Sequence, residues 1–172
     1  MTEEFDIAGL GAGAVVVGAD DSACAHVALT TAIREAALRE VPVLVVRAYD
    51  PPDRWGPEAA GLVDVDLIER ELCRVTEEAV AAAAAEVTGQ GTGQVAGEGT
   101  GAPRTRVVIA PGGAAGVLCL VAEGAELLVV GHRGRGALAS RLIGSVGLGV
   151  VVHASCPVLV VRAAPTAPTA AV

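Results

Sequence analysis

The segment LLVVGHRGRGALASRLIGSVGLGVVVHASCPVLVVR, Leu127 to Arg162, constrains the fold of this chain more than any other stretch. Two apolar β-type runs flank it, and between them Gly131 is followed after two residues by Gly134 and after nine more by Gly144-Ser145. Glycine is needed where backbone turns through positive φ or approaches a ligand closely. A strand, a Gly-rich loop and a helix start are the parts with which α/β proteins hold phosphate. The loop presents backbone N–H groups, and the helix adds unpaired N-terminal amides and the positive end of its dipole. The segment therefore predicts a nucleotide site.

A chain of 172 residues fits one domain, large enough to bury about two-thirds of its extended-chain surface. It is 52% apolar but only 2% aromatic. Its core must come from Val, Leu, Ile and Ala, which suits a parallel sheet covered by helices on both faces. No apolar run reaches the roughly 18 residues of a membrane span. The N-terminal MTEEFDIAG is acidic where a secretory signal is basic. A soluble, cytoplasmic protein is the expectation.

The net charge of −8 argues against nucleic acid and anionic membranes as partners. All twelve basic residues are arginine, which excludes a Walker lysine, a Schiff base or a catalytic lysine. Phosphate must then be held by backbone amides and arginine. Cys24, Cys73, Cys119 and Cys156 form no CxxC pair and read as reduced, buried thiols. His26, His132 and His153 lack metal-ligand spacing. Gly9-x-Gly11-x-Gly13 precedes a strand instead of following one, so it is no dinucleotide fingerprint. Ser22 lacks the GxSxG context of a hydrolase nucleophile.

Periodicity predicts the elements. Residues 1–13 read as a flexible leader and 14–18 (AVVVG) as the first strand. Asp20-Asp21-Ser22 supplies a helix N-cap. A helix over 23–40 follows, then a strand over 41–48 with Pro42 at its beginning, where no ladder donor is required. A Pro/Gly-rich loop at 51–61 leads into a helix over 62–87. Its apolar stripe is Val65, Ile68, Leu72, Val75, Ala79, Ala83 and Val87. Residues 88–103 form a Gly-rich surface loop. A strand at 105–110, a helix at 114–123, a strand at 126–131, a helix at 145–153 and a strand at 157–162 complete the domain, and 163–172 reads as a disordered tail. This β-α-β-α-β-α-β-α-β order is that of a five-stranded, doubly wound, Rossmann-like α/β domain over 14–162.

Three features resemble the nucleotide-binding branch of the universal stress protein family. VVVGADDS is similar to its first strand, which ends in an acidic residue followed by Ser; the Gly131-x2-Gly134-x9-Gly144-Ser145 spacing matches its ATP-binding signature; CPVLVVR is similar to its closing strand. The resemblance implies strand order 3-2-1-4-5, with the first and fourth strands adjacent at the topological switch point, where open parallel sheets bind ligands. It also implies ATP, ADP or AMP as cofactor, with Mg²⁺ as an accompanying ion. Gly18, Ala19 and Asp20 would meet the adenine and ribose end, and the backbone of Ala48 the adenine edge. Val130, Gly131 and Gly134 would surround ribose and the first phosphate. Gly144, Ser145 and Val146 would offer amides and a hydroxyl to the phosphates, with Arg133, Arg135 and Arg141 as charge partners.

Two departures stand out. Gly147 occupies a position often held by Ser or Thr in nucleotide-binding relatives, which removes a hydroxyl worth about 1 kcal/mol toward the outer phosphates. Asp21 occupies the usual Gly of the turn and adds negative charge, able either to attract a divalent cation or to weaken phosphate binding. The expected function is a nucleotide-dependent regulatory protein acting through conformation or an unknown downstream partner. A slow ATPase or phosphotransferase at the same site and a nucleotide-free dimeric interaction module are the alternatives. A homodimer through the apolar fifth strand is expected from its place at the sheet edge.

Overall fold

The computed structural model describes residues 7–51, 64–89, 102–132, 134 and 143–163. Its elements run β1 (Val15–Gly18), α1 (Ala23–Arg39), β2 (Val43–Tyr49), α2 (Val65–Gly89), β3 (Thr105–Pro111), α3 (Ala114–Val121), β4 (Leu127–Gly131), α4 (Ser145–His153) and β5 (Val158–Val161). The sheet order is β3-β2-β1-β4-β5, and every pairing is parallel. The doubly wound α/β architecture expected from the sequence is therefore the one found.

Alternation along the strands divides the core into two layers. Val15, Val17, Val43, Val45 and Val129 face α1 and α2, where Ala28, Leu29, Ala32, Ile33, Val80 and Ala83 meet them. Val16, Leu44, Val46, Leu128 and Val130 face α3 and α4, meeting Val117, Leu118, Val121 and Val150. Runs of Val and Leu without polar alternation are what a sheet buried on both sides demands. The parallel connections each need a helical crossover, and the four helices supply them.

Three details differ from the sequence reading. Residues 7–13, expected within a flexible leader, lie against the α3 side of the sheet. The amides of Gly9, Gly11 and Gly13 donate to the carbonyls of Leu120, Val121 and Gly124 at 2.8–2.9 Å, and Ile7 and Leu10 pack on that core. Gly11 permits this approach, since a Cβ there would lie 2.3 Å from Val16 Cγ2. The inner face of α2 keeps Ala79, Ala83 and Val87 of the expected stripe but adds Thr76 and Val80, which are buried, and leaves Val65 exposed. A polar residue occupies that inner face because a charged group, Arg47, is buried opposite it. Finally, β2 starts one residue after Pro42, whose carbonyl accepts from Val15 N–H at 3.0 Å. The 1–6 part of the leader, most of the 51–61 and 88–103 loops and most of the tail lie outside the described residues.

Candidate functional site

The switch of winding direction falls between β1 and β4, and the carboxyl ends of both strands, Gly18 and Gly131, open onto one cleft. The β1–α1 connection contributes Gly18, Ala19, Asp20, Ser22 and Ala25; β2 contributes Val46 and Ala48. The far wall is made by Val130, Gly131 and Gly134, with Val146 from α4 and Ala114 and Leu118 from α3. Eight residues singled out in the sequence thus line one space: Gly18, Ala19, Asp20, Ala48, Val130, Gly131, Gly134 and Val146. Gly144 and Ser145 stand just behind, as the N-cap and first residue of α4. Arg133, Arg135 and Arg141 lie outside the described residues.

The motif glycines are required by close approach. Positive φ occurs among the described glycines at Gly9, Gly13, Gly112 and Gly124, none of them in the motif. A Cβ on Gly131 would lie 2.8 Å from Cys24 Cβ and 3.1 Å from Cys24 C, so this glycine lets β4 meet the first turn of α1. A Cβ on Gly134 would lie 2.7 Å from Asp20 Oδ2, so this one leaves room for a carboxylate. A Cβ on Gly18 would touch Leu118 Cδ1 at 3.0 Å. The cleft is thus kept open by missing side chains on both strands. Gly147 is also confined, since a Cβ there would lie 3.1 Å from Ile143 Cγ1. At this chain's α4, a Ser or Thr hydroxyl would first need Ile143 to move.

Local hydrogen bonds shape the β1–α1 turn. Ser22 is the N-cap of α1, its Oγ accepting from Ala25 N–H at 3.2 Å. Asp20 Oδ1 accepts from Ser22 N–H at 2.9 Å, which leaves the helix cap to serine and directs Oδ2 toward Gly134. The neighbouring carboxylate is committed elsewhere: Asp21 Oδ1 receives Arg47 Nη1 at 2.8 Å and Oδ2 receives Nη2 at 2.9 Å. Arg47 is only 6% exposed. Burial pulls its guanidinium below the ordinary arginine range, and the charge of Asp20 acts in the opposite direction. The extra negative charge that the sequence places at Asp21 is therefore compensated within the fold.

At the α4 end, Gly144 N–H donates to His132 O at 2.7 Å, tying the helix start to the end of β4. Gly144 has no side chain with which to cap the first amides of α4. His132 Nδ1 is 3.3 Å from Cys24 Sγ, in the first turn of α1. Of the cysteines, Cys24 is buried, whereas Cys73, Cys119 and Cys156 are only partly so, and all four are free. Among the described residues no cluster of three His, Cys, Asp or Glu side chains is arranged for a metal ion, and no helix is long and apolar enough to cross a membrane.

Sequence reasoning missed Arg47, Ala114 and Leu118. The signal for Arg47 was available: it shares strand parity with Val43 and Val45, and a charge at an inward position needs a partner. Ala114 and Leu118 carried no local signal, because an alanine and a leucine on an apolar helix are indistinguishable from core.

An open parallel α/β sheet with a glycine-walled cleft at its switch point is a doubly wound domain of the kind that takes ligands at the carboxyl ends of its strands. The model of the universal stress protein family matches residues 12–162. Universal stress protein Rv2623 of Mycobacterium tuberculosis is 33% identical over 150 residues, covering 86% of this chain and 47% of that protein. A universal stress protein of Thermus aquaticus is 33% identical over 151 residues, 86% of this chain and 97% of the relative. A universal stress protein solved in complex with cAMP superposes with a TM-score of 0.56 at 25% identity, covering 88% of this chain and 98% of that one. The chain belongs to the universal stress protein family. It spans about half the length of the mycobacterial relatives it matches.

Proposed function

We propose that this chain binds an adenine nucleotide in the cleft between β1 and β4, and that occupancy regulates its conformation or its affinity for a downstream protein. The observation that carries this reading is the convergence of Asp20, Ala48, Gly131 and Gly134 on one cleft beside the start of α4. Ala48 lies on β2 and Gly131 ends β4, while Asp20 and Gly134 lie in the connections that follow β1 and β4. The related protein solved with cAMP supports an adenine nucleotide as the ligand class.

In this reading the Ala48 backbone meets the adenine edge and Asp20 Oδ2 accepts from a ribose hydroxyl. Gly131 and Gly134 leave room for ribose and the first phosphate. Amides at Gly144, Ser145 and Val146 take the phosphates with help from the positive end of α4; Arg133 and Arg135 supply charge. ATP is the favoured ligand, with ADP and AMP close behind because Gly147 offers no hydroxyl to the outer phosphates. Asp21, paired with Arg47, is a poor ligand for an accompanying Mg²⁺. The slow-ATPase alternative, which would use Asp20 or Asp21 with Mg²⁺, loses Asp21 for the same reason.

A homodimer through β5 completes the proposal. That strand pairs only with β4 among the described strands, and an apolar edge invites a second copy. Sedimentation equilibrium at micromolar concentration tests it; a monomer there rejects the dimer. For the nucleotide, small molecules released from freshly purified protein by heat are identified by mass spectrometry, and ATP·Mg²⁺ is titrated calorimetrically. Bound or titrated adenine nucleotide supports the assignment. Absence of both in folded protein overturns it in favour of a nucleotide-free interaction module.

A further inference from the structure

We propose that the pair between buried Arg47 and solvent-facing Asp21 is a positioning clamp that holds the β1–α1 turn, and with it the carboxylate of Asp20, in place at the cleft; this rests on the nucleotide reading given above. Three observations carry it. Arg47 stands on the α1/α2 face of β2 in line with Val43 and Val45, and is almost fully buried. An apolar side chain there would avoid the desolvation of a guanidinium. The desolvation of Arg47 is offset only in part by a carboxylate that is itself 40% exposed, so stability alone does not account for this pair.

The geometry ties separate elements together. Both terminal guanidinium nitrogens engage the two oxygens of Asp21 at 2.8 and 2.9 Å, and Nη1 lies 3.5 Å from Thr76 Oγ1 on α2. A planar fork on a carboxylate fixes orientation as well as distance. The turn is thereby fastened to β2 and faces α2.

The turn is packed only in part: Ala19 meets the α1/α2 core and its amide donates to Val46 O at 2.9 Å, but a second, open depression bounded by Arg47, Thr76 and Leu29 lies on its other side, and Ala19, Asp20 and Ser22 line both this space and the nucleotide cleft. The residues carrying Asp20 are thus a partition between the two. Where neighbours do not press on a turn, directional bonds must set its position. Asp20 and Asp21 are also adjacent like charges, and the guanidinium balances them both. Without it their repulsion would push the Asp20 carboxylate away from Gly134.

The test compares affinities for ATP and 2′-deoxy-ATP in the full chain. The wild type should prefer the ribonucleotide by about tenfold, the effect of one hydrogen bond to a charged acceptor. In Arg47→Met the preference should collapse to about twofold or less, with deoxynucleotide affinity nearly unchanged, because only the Asp20 contact is lost. Arg47→Lys should not restore it, since an ammonium cannot reproduce the fork. A pair that merely stabilised the fold would lower the melting temperature and leave the ratio at its wild-type value; that result in a folded Arg47→Met variant overturns the proposal. Should the single variant not fold, Arg47→Met combined with Asp21→Leu removes the pair without orphaning a charge, and the same collapse is expected. Equal affinity of the wild type for both nucleotides overturns the clamp while leaving nucleotide binding standing. Binding of neither overturns the nucleotide reading itself.

Discussion

Replacing Gly131 by alanine separates the structural demand on the glycine motif from its demand on a ligand. The added methyl would lie 2.8 Å from Cys24 Cβ, 3.1 Å from Cys24 C and 3.2 Å from Cys24 O. Carbon atoms normally rest about 3.5–4.0 Å apart, so strand and helix must separate by several tenths of an ångström. Two of these three atoms are backbone in the capped first turn of α1, which cannot swing aside as a side-chain tip can. Overpacking of this kind costs about 1–3 kcal/mol. Removing a glycine from the unfolded chain returns about 0.4–1 kcal/mol. The net loss is then about 1–2 kcal/mol, or roughly 2–8 °C in melting temperature for a domain of this size. Thermal unfolding followed by circular dichroism, without nucleotide, measures it. An unchanged or raised melting temperature would refute the close-approach explanation of Gly131. A glutamate at the same position would likewise test folding before it tested the cleft.

Gly134→Ala should behave oppositely: among the described residues its methyl meets only the Asp20 carboxylate, with Oδ2 at 2.7 Å, a side-chain end that can turn away, so the melting temperature should stay within about 2 °C. Its nucleotide affinity should fall about tenfold or more as Asp20 is displaced, and unchanged affinity by calorimetry would count against the role of that carboxylate. Ser22→Ala removes the α1 cap and should cost about 1 kcal/mol, read as a drop in urea midpoint at constant slope. Burial raises the thiol pKa of Cys119, and that of Cys156, where neighbouring Cys119 adds to the shift. At pH 8 both should therefore react with a disulfide reagent more slowly than free cysteine, accelerating as pH climbs past the ordinary thiol range; fast labelling at pH 7 would contradict it.

The fold could be read from the sequence because its determinants are local. Val15–Gly18, Val43–Tyr49 and Leu127–Gly131 are apolar runs too short for helices and without polar alternation, and helices with terminal signals separate them. The resemblance carried by VVVGADDS, the glycine spacing and CPVLVVR then implied the strand order, and through it the meeting of Asp20 with Gly134. What escaped was long-range. The inner face of α2 extends to include Thr76, across from Arg47, and no periodicity within α2 encodes a charge on β2. The docking of residues 7–13 depends on carbonyls of α3 and the α3–β4 connection more than a hundred residues away. Gly and Ala in a leader look the same whether solvated or packed.

Asp21 joins these observations into one argument about how the site departs from a simple glycine cradle. A carboxylate in place of a turn glycine places two like charges in succession at the mouth of a site proposed for phosphate, a local conflict in an otherwise consistent sequence. Such conflicts persist where another part of the fold resolves them. Here the resolution is the arginine on β2. Asp21 on the turn, Arg47 on β2 and Thr76 on α2 are joined through that guanidinium. Substituting Asp21 by alanine alone leaves Arg47 buried without this partner; because Asp21 is itself 40% exposed, the expected loss is below that of a fully buried pair, about 1–3 kcal/mol. The paired replacement of Arg47 and Asp21 by Met and Leu should recover most of that loss. Additive losses in the pair, measured by urea unfolding, would mean that the two side chains do not act together and that this account of the turn is wrong.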